Sequence, residues 1–191
     1  MKNNIFIKFS TISMVLLLSS CASDGDCPSI ADSPEPETKI VSCNSVKELT
    51  VGSTCRESII AKDIETNIGL FVKKNEKYEV SVADCNQVWK DCTRRNIPLC
   101  GESGSFVMNL MAFNKKRPDS LWFSVIAEVK SNTDNQSSYY DLCENLTDRV
   151  KARIAQFEIM NDGQLFMYPN DAIDYYDNNR GKIWLDIRRL Q

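Results

Sequence analysis

From about Ser58 onwards, the chain consists of short apolar runs separated by polar turns. Strict alternation of apolar and polar residues at positions 78–82 is typical of a strand with one buried face, and more continuous apolar runs are typical of central strands. Many short strands with little clear helix predict an all-β fold, a jelly-roll-like β-sandwich. The strands that this pattern predicts are 58–61, 68–72, 78–82, 105–113, 121–129, 152–159, 164–168 and 182–188.

Two turns predict which strands are neighbours. Polar residues 73–77 separate two strand-like runs, and this arrangement predicts a hairpin. Asp162-Gly163 precedes the run at 164–168, and Asp-Gly is a strong hairpin signal.

Three stretches are less regular. Residues 83–104 predict a long irregular loop, and residues 130–140 predict a polar, exposed insertion. Residues 141–157 fit helical spacing as well as strand alternation. A short helix or turn that leads into the strand at 152–159 is favoured.

The last predicted strand, 182–188, has two different faces. Side chains alternate across a strand, so Ile183, Leu185 and Ile187 would share one face. Trp184 would lie on the other face.

The first twenty residues predict a processing signal. Lys2 and Lys8 supply positive charge, and the apolar run at 14–18 is too short for a membrane span, which needs about 20 apolar residues. The sequence Leu-Ser-Ser-Cys that ends at Cys21 resembles a bacterial lipobox, in which the cysteine is acylated and becomes the mature N-terminus. The alternative is an ordinary secretory cleavage that leaves Cys21 as a plain thiol.

The resemblance to a lipobox has consequences for location and domain organisation. Ala22 rather than Asp at the second mature position implies the outer membrane of the cell envelope. Residues 21–39 carry Ser, Asp, Pro and Glu with almost no large apolar side chain, and they predict a flexible tether. Residues 40–191 would form one β-sandwich domain.

Composition narrows the function. The chain of 191 residues has a net charge of −3, and removal of Lys2 and Lys8 with the signal would leave 21 basic against 26 acidic residues, a net charge of −5. This balance argues against a nucleic-acid partner. The chain has no histidine, so it lacks the Ser-His and Cys-His pairs of many hydrolases. We therefore expect a protein that is not an enzyme.

Seven cysteines besides Cys21 predict a disulfide framework in an oxidising compartment. No pair has metal-binding C-x-x-C spacing, so a zinc site is not expected. Cys27 lies in the tether and is expected to be unpaired. The other six allow fifteen pairings, and the two short loops favour Cys43 with Cys55 and Cys92 with Cys100.

Residues 170–181 concentrate candidate ligands for a metal ion. Six of these twelve residues are Asp or Asn, which offer carboxylate and amide oxygens. Ca²⁺ takes about six to eight such oxygens. The spacing is not that of an EF-hand loop. Asn, Asp and Gly also fill turns that bind nothing, so an inert loop is the alternative.

The pattern N-D-x-x-x-x-Y-x-N-N-x-G between two late strands resembles the signature of the PA-I-type galactophilic lectins. The matching residues are Asn170, Asp171, Tyr176, Asn178, Asn179 and Gly181. These lectins are β-sandwiches, and the galactose-binding-domain-like fold is therefore implied here as well.

The resemblance implies a ligand set. Side-chain oxygens of Asp171, Asn178 and Asn179 and the main-chain carbonyl of Tyr175 would hold Ca²⁺, with one further carbonyl from a distant N-terminal loop. Asp171 and Asn178 would contact sugar as well as calcium. Tyr175, Tyr176 and Trp89 are the candidate aromatic faces for a sugar ring.

Galactose specificity does not carry over. The lectins hold the sugar with a His and a Gln from the long middle loop, and this chain has no His. We thus expect a lipid-anchored envelope protein whose domain binds a galactoside or another glycan with Ca²⁺. The alternatives are a protein-interaction or structural module that binds no sugar, and a surface glycosidase.

Overall fold

The strands are divided between two sheets. The protein is represented by a computed structural model that describes residues 40–83, 89–91, 97, 99–132, 136–144 and 154–191. Within these residues, one short helix, α1, spans Phe106–Leu110, and 3-10 turns span Cys43–Ser45, Ala112–Asn114 and Ile173–Asn178. The strands in the described residues are β1 (Val41–Ser42), β2 (Thr54–Ile60), β3 (Thr66–Val72), β4 (Lys77–Val82), β5 (Trp89–Asp91), β6 (Cys100–Glu102), β7 (Trp122–Lys130), β8 (Ser137–Asp141), β9 (Ile154–Glu158), β10 (Gly163–Pro169) and β11 (Asn179–Arg189).

The predicted all-β sandwich is confirmed. One sheet has the strand order β1-β2-β11-β4-β9, with β5 paired to one end of β11. The other has the order β3-β10-β7-β6, with β8 also paired to β7. The two sheets share one apolar core, to which the first contributes Ile59, Val80 and Leu185 and the second contributes Leu70 and Leu165, all fully buried.

Strand β11 organises the first sheet. It pairs antiparallel with β2 on one side and with β4 and β5 on the other. Ile183, Leu185 and Ile187 point into the core, as the alternation predicts, whereas Trp184 lies on the outer face and is partly exposed. Packing of these three side chains in the core thus fixes the position of β11, including the end that begins at Asn179.

Both predicted hairpins are wrong. β3 and β4 belong to opposite sheets, and so do β9 and β10. The two corners bind each other instead: the Asn75 N–H donates to the Ile159 carbonyl at 2.8 Å, and the Lys74 N–H donates to the Asp162 carboxylate at 2.7 Å. Each of these turns therefore carries the chain from one sheet to the other. Its polar groups bond to the other turn and do not close a hairpin.

The strand predicted at 105–113 is also wrong, because this run begins with helix α1. The Ser105 side chain accepts a hydrogen bond from the Met108 N–H at 3.3 Å and so caps the first turn. Met108 and Met111 pack against Trp122. A continuous apolar run does not by itself distinguish a strand from a helix, and here the serine cap decides.

The polar stretch 130–140 is not simply an exposed insertion. Its second half begins strand β8, which pairs with β7 and places the Tyr140 side chain in the core. The strand expected near 152–159 is present as β9. In the stretch predicted to be irregular, 83–104, the described residues contain β5 and β6.

One of the two favoured disulfides forms. Cys43–Cys55 is confirmed, but Cys100 pairs with Cys143 rather than with Cys92. The reason is the shared edge of β7, where Cys100 pairs opposite Ser124 and the end of β8 arrives only two residues further along. Cys21, Cys27, Cys85 and Cys92 lie outside the described residues, as does the tether. No helix in the described part of the chain has the length and apolar character that a bilayer-spanning segment requires.

Candidate functional site

The candidate site lies where the chain crosses from the second sheet to the first. β10 ends at Pro169, a 3-10 turn spans Ile173–Asn178, and β11 begins at Asn179. Asn170 and Asp171 at its start and Asn179 at its end are buried, whereas Asn178 is exposed. The connection is therefore anchored at both ends and open to solvent in the middle.

Asn170 has a structural role. Its side-chain oxygen accepts a hydrogen bond from the Arg117 N–H at 2.8 Å. Its amide nitrogen donates to the carbonyls of Arg117 and Leu121 at 2.8 and 3.0 Å. The amide thereby closes the turn at residues 117–121 and fixes the start of β7 beside the site.

Asp171 and Asn179 meet in the interior. The Asn179 amide nitrogen donates to the Asp171 carboxylate at 2.8 Å and to the Ala61 carbonyl, at the end of β2, at 3.2 Å. The second carboxylate oxygen accepts from the Ala172 N–H at 2.7 Å. The side-chain oxygen of Asn179 is buried and has no hydrogen-bond partner. The cluster thus contains one buried acceptor whose bonding capacity is unused.

Burial governs the protonation of Asp171. Removal from water raises the pKa of this carboxyl above its ordinary value, and the hydrogen bonds from Asn179 and the Ala172 N–H offset only part of the effect. A raised pKa means that the ionised form is poorly stabilised by the protein alone. A cation beside the carboxylate would favour ionisation.

A pocket of about 210 Å³ opens over this cluster. Asp171, Tyr175 and Asn178 line its polar side together with Ala172. Tyr175 is 47% exposed, so a large part of its surface is open to solvent. The opposite wall is apolar and consists of Val107, Met108, Met111 and Trp122.

The structure therefore brings the four predicted metal ligands into one region, but not at one depth. Asp171, Tyr175 and Asn178 border the pocket, and Asn179 lies buried behind Asp171. In the described residues no three side chains of the His, Cys, Asp and Glu types come together. A metal here would depend on one carboxylate and on neutral amide and main-chain oxygens.

Tyr176 is a positioning residue rather than a sugar platform. Its side chain is 3% exposed, and its hydroxyl donates to the Pro169 carbonyl at 2.5 Å. The same oxygen accepts from the Asp171 N–H at 3.4 Å. Burial therefore excludes Tyr176 as an aromatic face for a ligand. The side chain of Trp89 lies outside the described residues.

Sequence reasoning missed two parts of the site. The Ala61 carbonyl belongs to a segment more than a hundred residues away, and most of the apolar wall comes from the run at 105–113, which the apolar pattern predicts to be a strand. Nothing in the local sequence marks Ala61, because a main-chain oxygen carries no residue preference. Recognition of Ser105 as a helix cap would have revealed the wall.

We expect Tyr176→Phe to destabilise the domain by about 0.5–1.5 kcal/mol, because it removes a buried hydrogen bond to the Pro169 carbonyl, which keeps only the Asp171 N–H as a donor. Urea unfolding measures this change. Tyr175→Phe is the matched control, since it removes the same hydroxyl from an exposed side chain and should change the free energy of unfolding by less than about 0.5 kcal/mol. Equal effects of the two substitutions would contradict the assigned role of Tyr176.

No protein-family model and no curated protein matches this chain. Among solved structures, the chain is similar to the N-terminal domain of EclA, described as a PllA-like lectin, with 15% sequence identity and a TM-score of 0.45. The match covers 70% of this chain and 94% of that domain. A likeness at this level carries no argument about function, which rests on the residues of this chain.

Proposed function

We propose that the domain binds a carbohydrate through a Ca²⁺ ion held by the crossing at residues 170–181. The observation that carries this proposal is the side-chain oxygen of Asn179, which is buried without a hydrogen-bond partner next to the buried carboxylate of Asp171. Burial of an unpaired acceptor costs about 1–3 kcal/mol. A hard cation that took this oxygen as a ligand would offset that cost.

The oxygen atoms available are those that calcium prefers. Asp171 supplies charge, Asn178 and Asn179 supply amide oxygens, and Tyr175 supplies its main-chain carbonyl. The Ala61 carbonyl, already within 3.2 Å of the Asn179 amide nitrogen, is our candidate for the further carbonyl from the N-terminal part of the chain. A half-turn of the Asn179 amide would exchange its nitrogen and oxygen, so that the oxygen would lie between Asp171 and Ala61.

The pocket provides the sugar subsite in this proposal. A bound calcium ion would supply positive charge and coordination positions for sugar hydroxyls. Asp171 and Asn178 would accept hydrogen bonds from those hydroxyls, and the exposed ring of Tyr175 would pack on the apolar side of the sugar. At about 210 Å³ the pocket is smaller than those that hold drug-sized ligands, which favours one sugar ring.

The same pocket favours binding over catalysis. Glycosidases flank the scissile bond with two carboxyl groups. Among the described residues that line this pocket, Asp171 is the only one with a carboxylate. The domain is therefore proposed to hold a glycan without cleaving it.

Display on the bacterial envelope completes the proposal. The lipobox-like sequence at Cys21 would provide a lipid anchor, with the outer membrane as the expected site. The disulfides Cys43–Cys55 and Cys100–Cys143 support an oxidising compartment.

Calcium should raise the Tm of the native chain, and the Asp171→Asn variant should not show this rise. At a hundredfold excess of Ca²⁺ over Kd, linkage gives roughly 2.7 kcal/mol, equivalent to roughly 5–10 °C in Tm for a domain of this size. Differential scanning calorimetry with calcium and then with chelator measures the shift. Asp177→Asn, an exposed carboxylate of the same turn, is the matched control and should keep the shift. A wild-type Tm that ignores calcium rejects the metal site.

The pH dependence follows from the raised pKa of Asp171. Calcium binds the ionised carboxylate, so its affinity should fall as the pH is lowered. Because the pKa of Asp171 is raised, isothermal titration should show this fall beginning at a higher pH than it would for an ordinary aspartate. Without metal, a rise in pH acts in the opposite direction and lowers the free energy of unfolding. The folded state holds the proton more tightly than the unfolded chain does, so stability from this group is lost as pH rises through the folded pKa. In chelator at neutral pH, Asp171→Asn should be at least as stable as wild type.

A glycan array with and without calcium tests the sugar subsite. We expect calcium-dependent binding that Tyr175→Ala weakens by roughly tenfold, the effect of losing an aromatic contact of about 1.5 kcal/mol. Ile173→Ala, which removes an equally exposed apolar side chain of the same turn that does not line the pocket, is the control. Calcium binding without any glycan signal would favour the alternative, a protein-interaction module with a metal-stiffened loop.

Metabolic labelling with a palmitate analogue tests the anchor. The native chain should incorporate label and fractionate with the outer membrane, and Cys21→Ser should lose the label because the acylated sulfur is gone. Cys27→Ser, six residues along the tether, should keep it. Label that is absent from the native chain, or retained in Cys21→Ser, argues against a lipid at this position.

A further inference from the structure

The helical segment at residues 106–114, formed by α1 and the 3-10 turn that follows it, has two apolar faces. Met108 and Met111 pack inward against the buried cluster of Trp122, Phe123 and Ala172. Phe106 and Leu110 lie one turn apart in α1, and Phe113 follows in the 3-10 turn; all three side chains are exposed. A segment that is apolar on both sides is typical of one that is covered on both sides.

The outer face is open to solvent. Phe106 is 78% exposed, Leu110 61% and Phe113 79%. Together these side chains present apolar surface on the order of 400 Å², the size of the largest apolar patch on a typical monomer, which is often functional. A stable protein interface needs about 800 Å² on each partner, so the face is too small to form a dimer by itself.

The cations that follow this segment are already engaged. Lys115 is buried, and its ammonium donates to the Ser120 carbonyl. Lys116 bonds to Glu65 and lies over the ring of Tyr168, and the Arg117 guanidinium lies over Tyr139. The face therefore offers hydrocarbon contact without a matching positive charge. An acidic peptide or an anionic headgroup is not the partner that this chemistry selects.

We propose that Phe106, Leu110 and Phe113 insert into the apolar boundary of the lipid bilayer to which the chain is anchored. The described residues begin at Ile40, nineteen residues after Cys21, and an extended chain of that length reaches about 60 Å. The proximity argument rests on the lipid anchor proposed above. A tethered domain meets the bilayer at high effective concentration, so a weak second contact suffices.

Insertion would also orient the binding pocket. Val107, Met108 and Met111 of the same segment form its apolar wall. A domain held by the outer face of this segment therefore keeps the pocket close to the lipid surface. Glycans carried by membrane components would be its accessible ligands.

The test measures partition without the acyl chain. The chain from Ala22 onwards, exported behind a cleavable signal so that its disulfides form, is sedimented with vesicles of neutral phosphatidylcholine. Phe106→Ser/Phe113→Ser should lower the partition coefficient roughly tenfold or more. Ile154→Ser/Met160→Ser, which removes two apolar side chains exposed elsewhere, should leave it within about twofold. Partition should be insensitive to salt, because no charge pairing is involved.

The remaining outcomes overturn the proposal. Failure of the parent chain to bind vesicles, or an equal loss in the two double variants, would exclude lipid insertion by this face. A parent dimer that dissociates in Phe106→Ser/Phe113→Ser, seen by analytical ultracentrifugation, would identify a second copy as the partner. Both Phe side chains are exposed, so the melting temperature should stay unchanged and serve as the folding control. Failure of the lipid anchor appears separately, as absent palmitate label on the native chain.

Discussion

The contact between Asp171 and Asn179 joins the two sheets at the end that carries the pocket. Asp171 follows β10 of the second sheet, and Asn179 begins β11 of the first. Their 2.8 Å hydrogen bond closes the crossing, and Asn179 extends it to the end of β2 through the Ala61 carbonyl. β11 pairs with β2, β4 and β5, so this contact ties the crossing to the central strand of the first sheet.

The contact between Asp171 and Asn179 has a desolvation cost that its own hydrogen bonds do not fully offset. A carboxylate is removed from water and receives only two short hydrogen bonds, and an amide oxygen beside it receives none. A chain that required only a stable crossing would do better with apolar side chains of similar volume, because buried polar groups repay their desolvation only when they are fully bonded. The surrounding residues instead reinforce the arrangement, since Asn170 and Tyr176 hold the main chain on either side of Asp171. Incomplete satisfaction within a rigid frame is typical of a binding site.

The sequence was informative where a local pattern and the tertiary structure agree. Apolar alternation correctly predicted β11, and a nearly continuous apolar run correctly predicted β7. The short loop between Cys43 and Cys55 correctly predicted their disulfide. The sequence was misleading where a long-range contact decides. The corners at Asn75 and Asp162 are selected by hydrogen bonds to each other, and the partner of Cys100 is selected by the shared edge of β7. Motif spacing likewise placed Asp171 and Asn179 in one site but gave no indication that one lies behind the other.

The segment at 106–114 connects the core, the pocket and the outer surface. Gly104, which precedes it, lies against Trp122, where an added Cβ would come within 2.5 Å of the indole nitrogen, so only glycine allows this approach. Met108 and Met111 then pack on Trp122 and Ala172, directly beside Asp171. Three of the four residues of the apolar wall, Met108, Met111 and Trp122, are therefore held by the core, whereas Phe106, Leu110 and Phe113 remain outside it. A short rigid helix with this division of faces can couple what the outer surface contacts to the position of the pocket, with no change in the sandwich itself.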